Sequence, residues 1–394
     1  MKVENILSQT IEIWLRIFGI WPDSSCISLR RLFWIIALAL EQIFQYQYII
    51  IHFYSIEFFE VMGMLGEAMT FSILIIKLVI FWCKQRDYDH SKIIRRTFSK
   101  ILTMMAIDWK KSFNTEFSMF VTSNAKLSRR FANVTVALYS MAVIFHSSNI
   151  VKHTDEDKVF NTSMRPLVMN MNLPFDLNQT YVYVLIIIIQ FVHLLLCSCA
   201  TGLLNALLIN LILHIGGQVD ILCEWLIDIF PIKKKHSPNL FVIKKIIKKH
   251  QQIIKFSEHI EDLYSNIALA LFVSDTLIIC CLGFVMVTSV GTPDAIKIIM
   301  RTLLFYFVMN MEAFAFCFAG EYLSTKSNSI GDAAYNSFWY ESNSKNNQIT
   351  LFLIMRSQKQ LVITIGKVMN LSLERFSSII KASASYISVL LAMN

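Results

Sequence analysis

Apolar residues are gathered into seven stretches, near residues 32–54, 62–83, 131–151, 181–213, 264–290, 296–320 and 362–393, with polar and basic segments between them. A helix crossing about 30 Å of hydrocarbon needs about 20 mostly apolar residues, so each stretch is predicted to span a membrane. The fourth, from Tyr181 to Leu213 through the run Ile186-Ile187-Ile188-Ile189, covers about 50 Å as a helix and is expected to project beyond the bilayer. Ahead of the first stretch, Ile6, Leu7, Ile11, Trp14, Leu15, Phe18 and Trp21 recur at helical spacing, with Glu4, Glu12 and Arg16 off the stripe. That pattern predicts an interfacial helix lying on the membrane and ended by Trp21-Pro22. No apolar core with a small-residue cleavage site occurs in residues 1–31, so no secretory signal is expected there. The predicted fold is an all-α integral membrane protein with seven transmembrane helices.

Basic residues set the predicted orientation. Segments 1–31, 84–130, 214–263 and 321–361 hold 27 of the 36 Lys and Arg, against 5 in the alternate connections. Such an excess marks the cytoplasmic side, which places the amino terminus inside and the carboxyl terminus outside. The sequon asparagines Asn161 and Asn178 then fall in an outer loop where glycosylation is expected, whereas Asn133 and Asn370 lie in or near spans. The cluster Asp155-Glu156-Asp157 in the same loop reads as solvated surface rather than a metal site.

Composition removes other classes. Of 394 residues, 55% are hydrophobic and only 16% charged, against roughly 25% charged in soluble proteins. The net charge of +8 would suit nucleic acid if the basic residues lined one soluble face, but they stand in blocks beside apolar stretches, so the expected partner is a lipid bilayer and not nucleic acid. The eight cysteines read as reduced packing residues, and the pair Cys197 and Cys199 has neither the spacing nor the neighbouring ligands of a zinc site. No metal or cofactor is expected, and no nucleophile-base pair or phosphate loop points to an enzyme.

Ionisable residues inside apolar stretches cost roughly 2.5 to 3.5 kcal/mol each on insertion scales. Glu41, Glu67, Lys77, Asp275 and Glu312 are therefore candidates for function, with interhelical hydrogen bonding as the plainer account. In the last stretch, Lys367, Glu374, Ser378, Lys381, Ser385 and Ser388 fall within an arc of roughly 80° at 100° per residue. A continuous polar face on a spanning helix suits a water-filled path, which copies of this helix around an axis would enclose. Val389, Leu390, Leu391 and Met393 follow as an apolar collar, suited to gating by dewetting or to simple anchoring in lipid.

The last hundred residues resemble insect odorant receptors. The resemblance rests on Gln358-Lys359-Gln360-Leu361, Thr364-x-Gly366-Lys367, Leu371-Ser372-Leu373, Phe376, Ile379-x-Lys381-Ala382-Ser383 and Ser385-Tyr386-x-Ser388-Val389-Leu390, with Trp339, Arg356-Ser357 and Gly19-Ile20-Trp21-Pro22 upstream. Gln360 stands where proline is common and Ala384 where an aromatic is usual. Gustatory receptors end differently, in Gln-Phe, where this chain has Ala392-Met393. The resemblance implies an odorant-binding subunit of a heteromeric, odorant-gated, nonselective cation channel in the plasma membrane of an olfactory neuron. It would assemble as a tetramer with a shared odorant receptor co-receptor and bind a small volatile organic ligand. It further implies an interfacial segment at 1–31, helices one to six at 32–320, a cytoplasmic anchor at 321–361 and a pore-lining helix at 362–394. The pore and gate would fall on Val389, Met393, Tyr386, Ser385, Lys381 and Ser378, and the odorant pocket on Glu67, Phe71, Tyr139, Val143, His146, Phe191, Phe272, Thr276 and Ile279. Rival readings are a metabotropic G-protein-coupled chemoreceptor, a gustatory-type channel and a secondary transporter; the orientation opposes the first, and no internal repeat supports the last.

Overall fold

A computed structural model of the chain describes residues 9–22, 26–84, 97–113, 118–156, 165–175, 177–229, 240–293, 295–337, 339–341 and 344–393. Ten α-helices account for most of these: α1 (Gln9–Ile17), α2 (Ile27–His52), α3 (Phe58–Cys83), α4 (Thr97–Phe113), α5 (Ser118–Glu156), α6 (Thr180–Asp228), α7 (Leu240–Thr288), α8 (Ala295–Asn336), α9 (Ser344–Ser357) and α10 (Leu373–Met393). Among the described residues, α3, α6, α7, α8 and α10 are long and apolar enough to cross a membrane. Helix α2 and the more polar α5 occupy the first and third predicted spans.

Three helices outrun the bilayer. At 49, 49 and 42 residues, α6, α7 and α8 reach about 74, 74 and 63 Å, at least twice the roughly 30 Å of hydrocarbon, so part of each extends beyond it. From Cys199 to Leu213, α6 is buried without interruption, as a helix surrounded on all sides must be. Its outer half instead leaves Leu185, Ile188 and Ile189 exposed, as expected of a lipid-facing surface. Gly202 permits close approach to α5: a Cβ there would lie 3.1 Å from both Thr135 and Tyr139.

The two ends of the chain add detail to the expectations, and the second corrects one of them. The described part of the amino-terminal apolar stripe packs against the chain itself. Ile11, Leu15, Phe18 and Trp21 are buried in the main core, where Trp34 of α2 stacks on Phe18 at 4.2 Å and donates its indole N–H to the Ile17 carbonyl.

The last span also begins later than residue 362. Thr364–Ile365 (β1) and Met369–Asn370 (β2) pair as a small antiparallel hairpin. Gly366 and Lys367 both have positive φ, 59° and 62°, and the Val368 N–H donates to the Ile365 carbonyl at 3.1 Å. That is a type I′ turn, which a helix-periodic reading misses because it looks only at side-chain spacing. Ser265 of α7 pins the turn, its carbonyl accepting from Gly366 N–H at 3.0 Å and its hydroxyl from Lys367 N–H at 3.1 Å. Thr364 adds a hydrogen bond to Glu261 at 2.8 Å. Lys367 is thus removed from the polar stripe, and helical geometry starts at Leu373.

Helices α4, α6 and α7 hold buried charges between them. Lys249 donates to Asp108 at 3.1 Å and to Gln218, while His214 lies 3.6 Å from the same carboxylate. Burial alone pushes the Asp108 carboxyl up, but His214 and Lys249 outweigh it and hold the group below the usual carboxylate range. Burial, helped by Arg356, drives His250 down to about 4.

Candidate functional site

Helices α3, α5, α6 and α8 enclose some 750 Å³ of unfilled space, its open mouth included. The walls are mostly apolar, with Phe71, Leu74, Val143, Leu194, Phe305 and Met309 among them. Of the pocket residues predicted from sequence, Glu67, Phe71, Tyr139, Val143 and His146 line this space. Phe191, Phe272, Thr276 and Ile279 do not. Phe272 and Ile279 pack in a cluster of α7, α8 and α10 behind the cavity walls Phe305 and Met309, and Thr276 lends its carbonyl to Ser383 of α10 at 2.9 Å. The α7 face carrying them therefore serves the last helix rather than the cavity.

The segment 165–175 folds inward to roof the cavity, placing Met169 in its wall. Its backbone is satisfied from α6: the Gln190 carbonyl oxygen accepts from Val168 N–H at 3.1 Å, and the Gln190 amide donates to the Met169 carbonyl at 3.1 Å. Tyr183 donates to the Pro166 carbonyl at 2.7 Å. These bonds answer the requirement that buried main-chain groups be paired.

A polar cluster stands at the mouth. Arg301 donates to Glu67 at 2.9 Å and to His146 Nδ1 at 3.1 Å, joining α8 to α3 and α5. At the floor, Lys77 donates to Asn205 at 3.1 Å and pairs with Glu312, while Tyr139 donates to the other Glu312 oxygen at 3.0 Å. Asn205 in turn donates to the Tyr139 hydroxyl at 3.2 Å. Asp275 is 1% exposed, with one carboxylate oxygen lacking a hydrogen bond. Five helices thus contribute polar groups to one buried knot, and Tyr139 belongs both to it and to the cavity wall.

On α10, Ile379 and Ser383 are buried against the bundle and Ile387 abuts Gly283 of α7. The opposite face points away from the chain: Lys381 and Ser385 are exposed, Ser378 is half-buried, and Tyr386, Val389 and Met393 are 50%, 56% and 81% exposed. A polar face with no cover from its own chain calls for water or a neighbouring subunit.

The family model described as 7tm Odorant receptor matches residues 55–384. The chain belongs to this family. Odorant receptor Or2 of Anopheles gambiae is 29% identical over 148 residues, 38% of this chain and 38% of that relative. Odorant receptor 67c of Drosophila melanogaster is 29% identical over 152 residues, 39% of this chain and 36% of that relative. The chain therefore aligns with little more than a third of these curated relatives. The odorant receptor coreceptor of Aedes aegypti also matches, 25% identical over 152 residues, 38% of this chain and 31% of the coreceptor. The insect olfactory receptor OR5 from Machilis hrabei, solved in complex with eugenol, shares the fold at a TM-score of 0.71 and 16% identity, over 98% of this chain and 97% of that one. By family and fold the chain is accordingly a multi-pass membrane protein.

Sequence reasoning missed Arg301 and Asn205 as partners of the ionisable residues it had singled out. Asn205 carried a signal, since it interrupts an otherwise apolar run. Arg301 gave less, because a basic residue at a span's outer end reads as an ordinary interfacial anchor. Of the sequon asparagines, Asn178 is exposed, while Asn161 lies outside the described residues.

Proposed function

We propose that this odorant receptor is the odorant-binding subunit of a heteromeric, odorant-gated cation channel completed by the family's coreceptor. The observation that carries the reading is the pairing of a roofed, largely apolar cavity with a final helix whose polar face its own chain leaves uncovered. The cavity suits a small volatile of mixed polarity, the class to which the eugenol of the matched structure belongs. Apolar walls supply burial; Tyr139, Thr201 and the Arg301 cluster offer orienting hydrogen bonds.

A ligand shifts an equilibrium only by binding one state better than the other. In this reading the odorant fits the open state better. Its contact with Tyr139 disturbs the Lys77, Glu312 and Asp275 knot, and α7 passes the movement to α10 through the Thr276 to Ser383 bond. The outer ends of α10 helices, carrying Val389 and Met393, then part around a shared axis lined by Ser378, Lys381, Ser385 and Tyr386. The amino terminus is cytoplasmic, and Asn161 and Asn178 face the exterior.

The test is recording from cells expressing this chain with and without the coreceptor across a panel of volatiles. Odorant-evoked cation currents requiring both chains are expected, with Arg301→Gln shifting ligand rank order. Responses that persist without the coreceptor and depend on a G protein would refute the reading. Sugar on Asn178 tests the orientation separately.

A further inference from the structure

Three donor side chains that odorant binding and gating leave unused meet in the wall between the cavity and α2. Glu41 comes from α2, and His193 and Cys197 come from consecutive turns of α6, four residues apart and so on one face. His193 Nδ1 lies 3.0 Å from a Glu41 oxygen, and Nε2 lies 3.5 Å from Cys197 Sγ. One donor atom from each residue lies within 4.8 Å of the other two. Glu41 is 6% exposed, and the polar atom set against its carboxylate is that same His193 nitrogen. A carboxylate withdrawn from water is stabilised by a positive charge beside it, which a cation held between the carboxylate, the imidazole and the sulfur would supply.

The chemistry of the set narrows what that charge is. A carboxylate oxygen, an imidazole nitrogen and a sulfur are the mixed donors that hold Zn²⁺ and its neighbours in the d-block, at bond lengths near 2.0 to 2.3 Å. Metal binding would release the thiol proton to solvent as the metal–sulfur bond forms, leaving two anionic ligands to neutralise the dication. We propose that Glu41, His193 and Cys197 bind a divalent transition-metal ion of the Zn²⁺ type. Three protein ligands leave one tetrahedral position, and because Cys197 also lines the cavity, water or a donor atom of a molecule in the cavity fills it.

The sequence hid the site because its reading looked for paired cysteines, whereas the ligands are one cysteine, a histidine a turn before it and a carboxylate from another helix. Cys199 has a different neighbour, Ser140 Oγ at 3.5 Å. The proposal stands independently of the gating mechanism.

Titrating the purified full chain in lipid nanodiscs with Co²⁺, a spectroscopic substitute for Zn²⁺, tests it. A thiolate-to-cobalt absorption saturating at one ion per chain and displaced by Zn²⁺ is expected. Cys197→Ser should abolish that band, Glu41→Gln should weaken binding at least about tenfold, and Cys199→Ser should change neither. No band in the wild-type chain overturns the proposal without recourse to any variant. So does a band that survives Cys197→Ser or disappears with Cys199→Ser.

Discussion

Replacing Lys77 by Met removes the only cation in the buried knot among the described residues while keeping most of the side-chain volume. The Lys77 and Glu312 side chains are 1% and 0% exposed. At hydrogen-bonding separation and an effective dielectric near 20, their attraction is about 5 kcal/mol. Loss of one partner from such a pair usually costs about 3 to 5 kcal/mol, because the other charge stays buried and alone. Here the penalty belongs at the upper end, since Asp275 shares the same enclosure and Tyr139 and Asn205 were arranged around the charged pair. Glu312→Gln added to Lys77→Met removes the stranded charge and should recover at least about 2 kcal/mol as coupling in a double-mutant cycle. Thermal unfolding of the detergent-purified chain, followed by fluorescence, should show an apparent Tm on the order of 10 °C lower for Lys77→Met, with partial recovery in the double variant. A Lys77→Met chain as stable as wild type, or additive losses in the pair, would refute the assignment of the knot as a charge-paired core.

Gly366→Ala should destabilise by about 1 to 2 kcal/mol, because the residue holds φ at 59° and a Cβ would lie 2.8 Å from Leu269; an unchanged Tm would contradict the turn. His250 sits near pKa 4 in the folded chain, below its unfolded value of about 6.5. Unfolded chains therefore bind the extra proton first: stability is complete above pH 6.5 and falls toward pH 4 by up to about 3 kcal/mol. His250→Gln should flatten that slope, and a slope that persists would place the acid sensitivity elsewhere. Val389→Ala with Met393→Ala should leave expression intact and alter permeation or gating in the co-expressed channel; wild-type currents would rule out the collar.

Hydropathy located a helix at each of the seven apolar stretches, because burial in lipid leaves a continuous and unmistakable pattern. It foresaw that α6 projects beyond the bilayer but not how far α7 and α8 continue, since the added half of α7 is amphipathic and basic and that of α8 is polar, so both resemble connecting segments. Nor did it separate the β1 and β2 hairpin from α10: two-residue strands have too few positions to establish a period, and the decisive feature is backbone conformation at Gly366 and Lys367. The cavity was legible on α3 and α5, where Glu67, Phe71, Tyr139, Val143 and His146 share inward faces. On α7 the guess failed because several faces of that helix are equally apolar, and only its contact with α10 decides which one meets what. Pairing of Lys77 with Glu312 was invisible for a related reason, as it depends on the axial register of helices distant in sequence.

The clamp of Ser265 on the hairpin has a mechanical consequence. With the hairpin before it held to α7 by two hydrogen bonds from the turn's N–H groups, α10 would act in the proposed gating as a lever pivoting beside Leu373 and driven near its middle through the Ser383 to Thr276 bond. Its 21 residues make an arm of about 31 Å. A tilt of only about 5° swings the far tip by about 3 Å, roughly the width of a water molecule, while the pivot stays still. Small rearrangements near the bilayer centre are thereby amplified where Met393 sits.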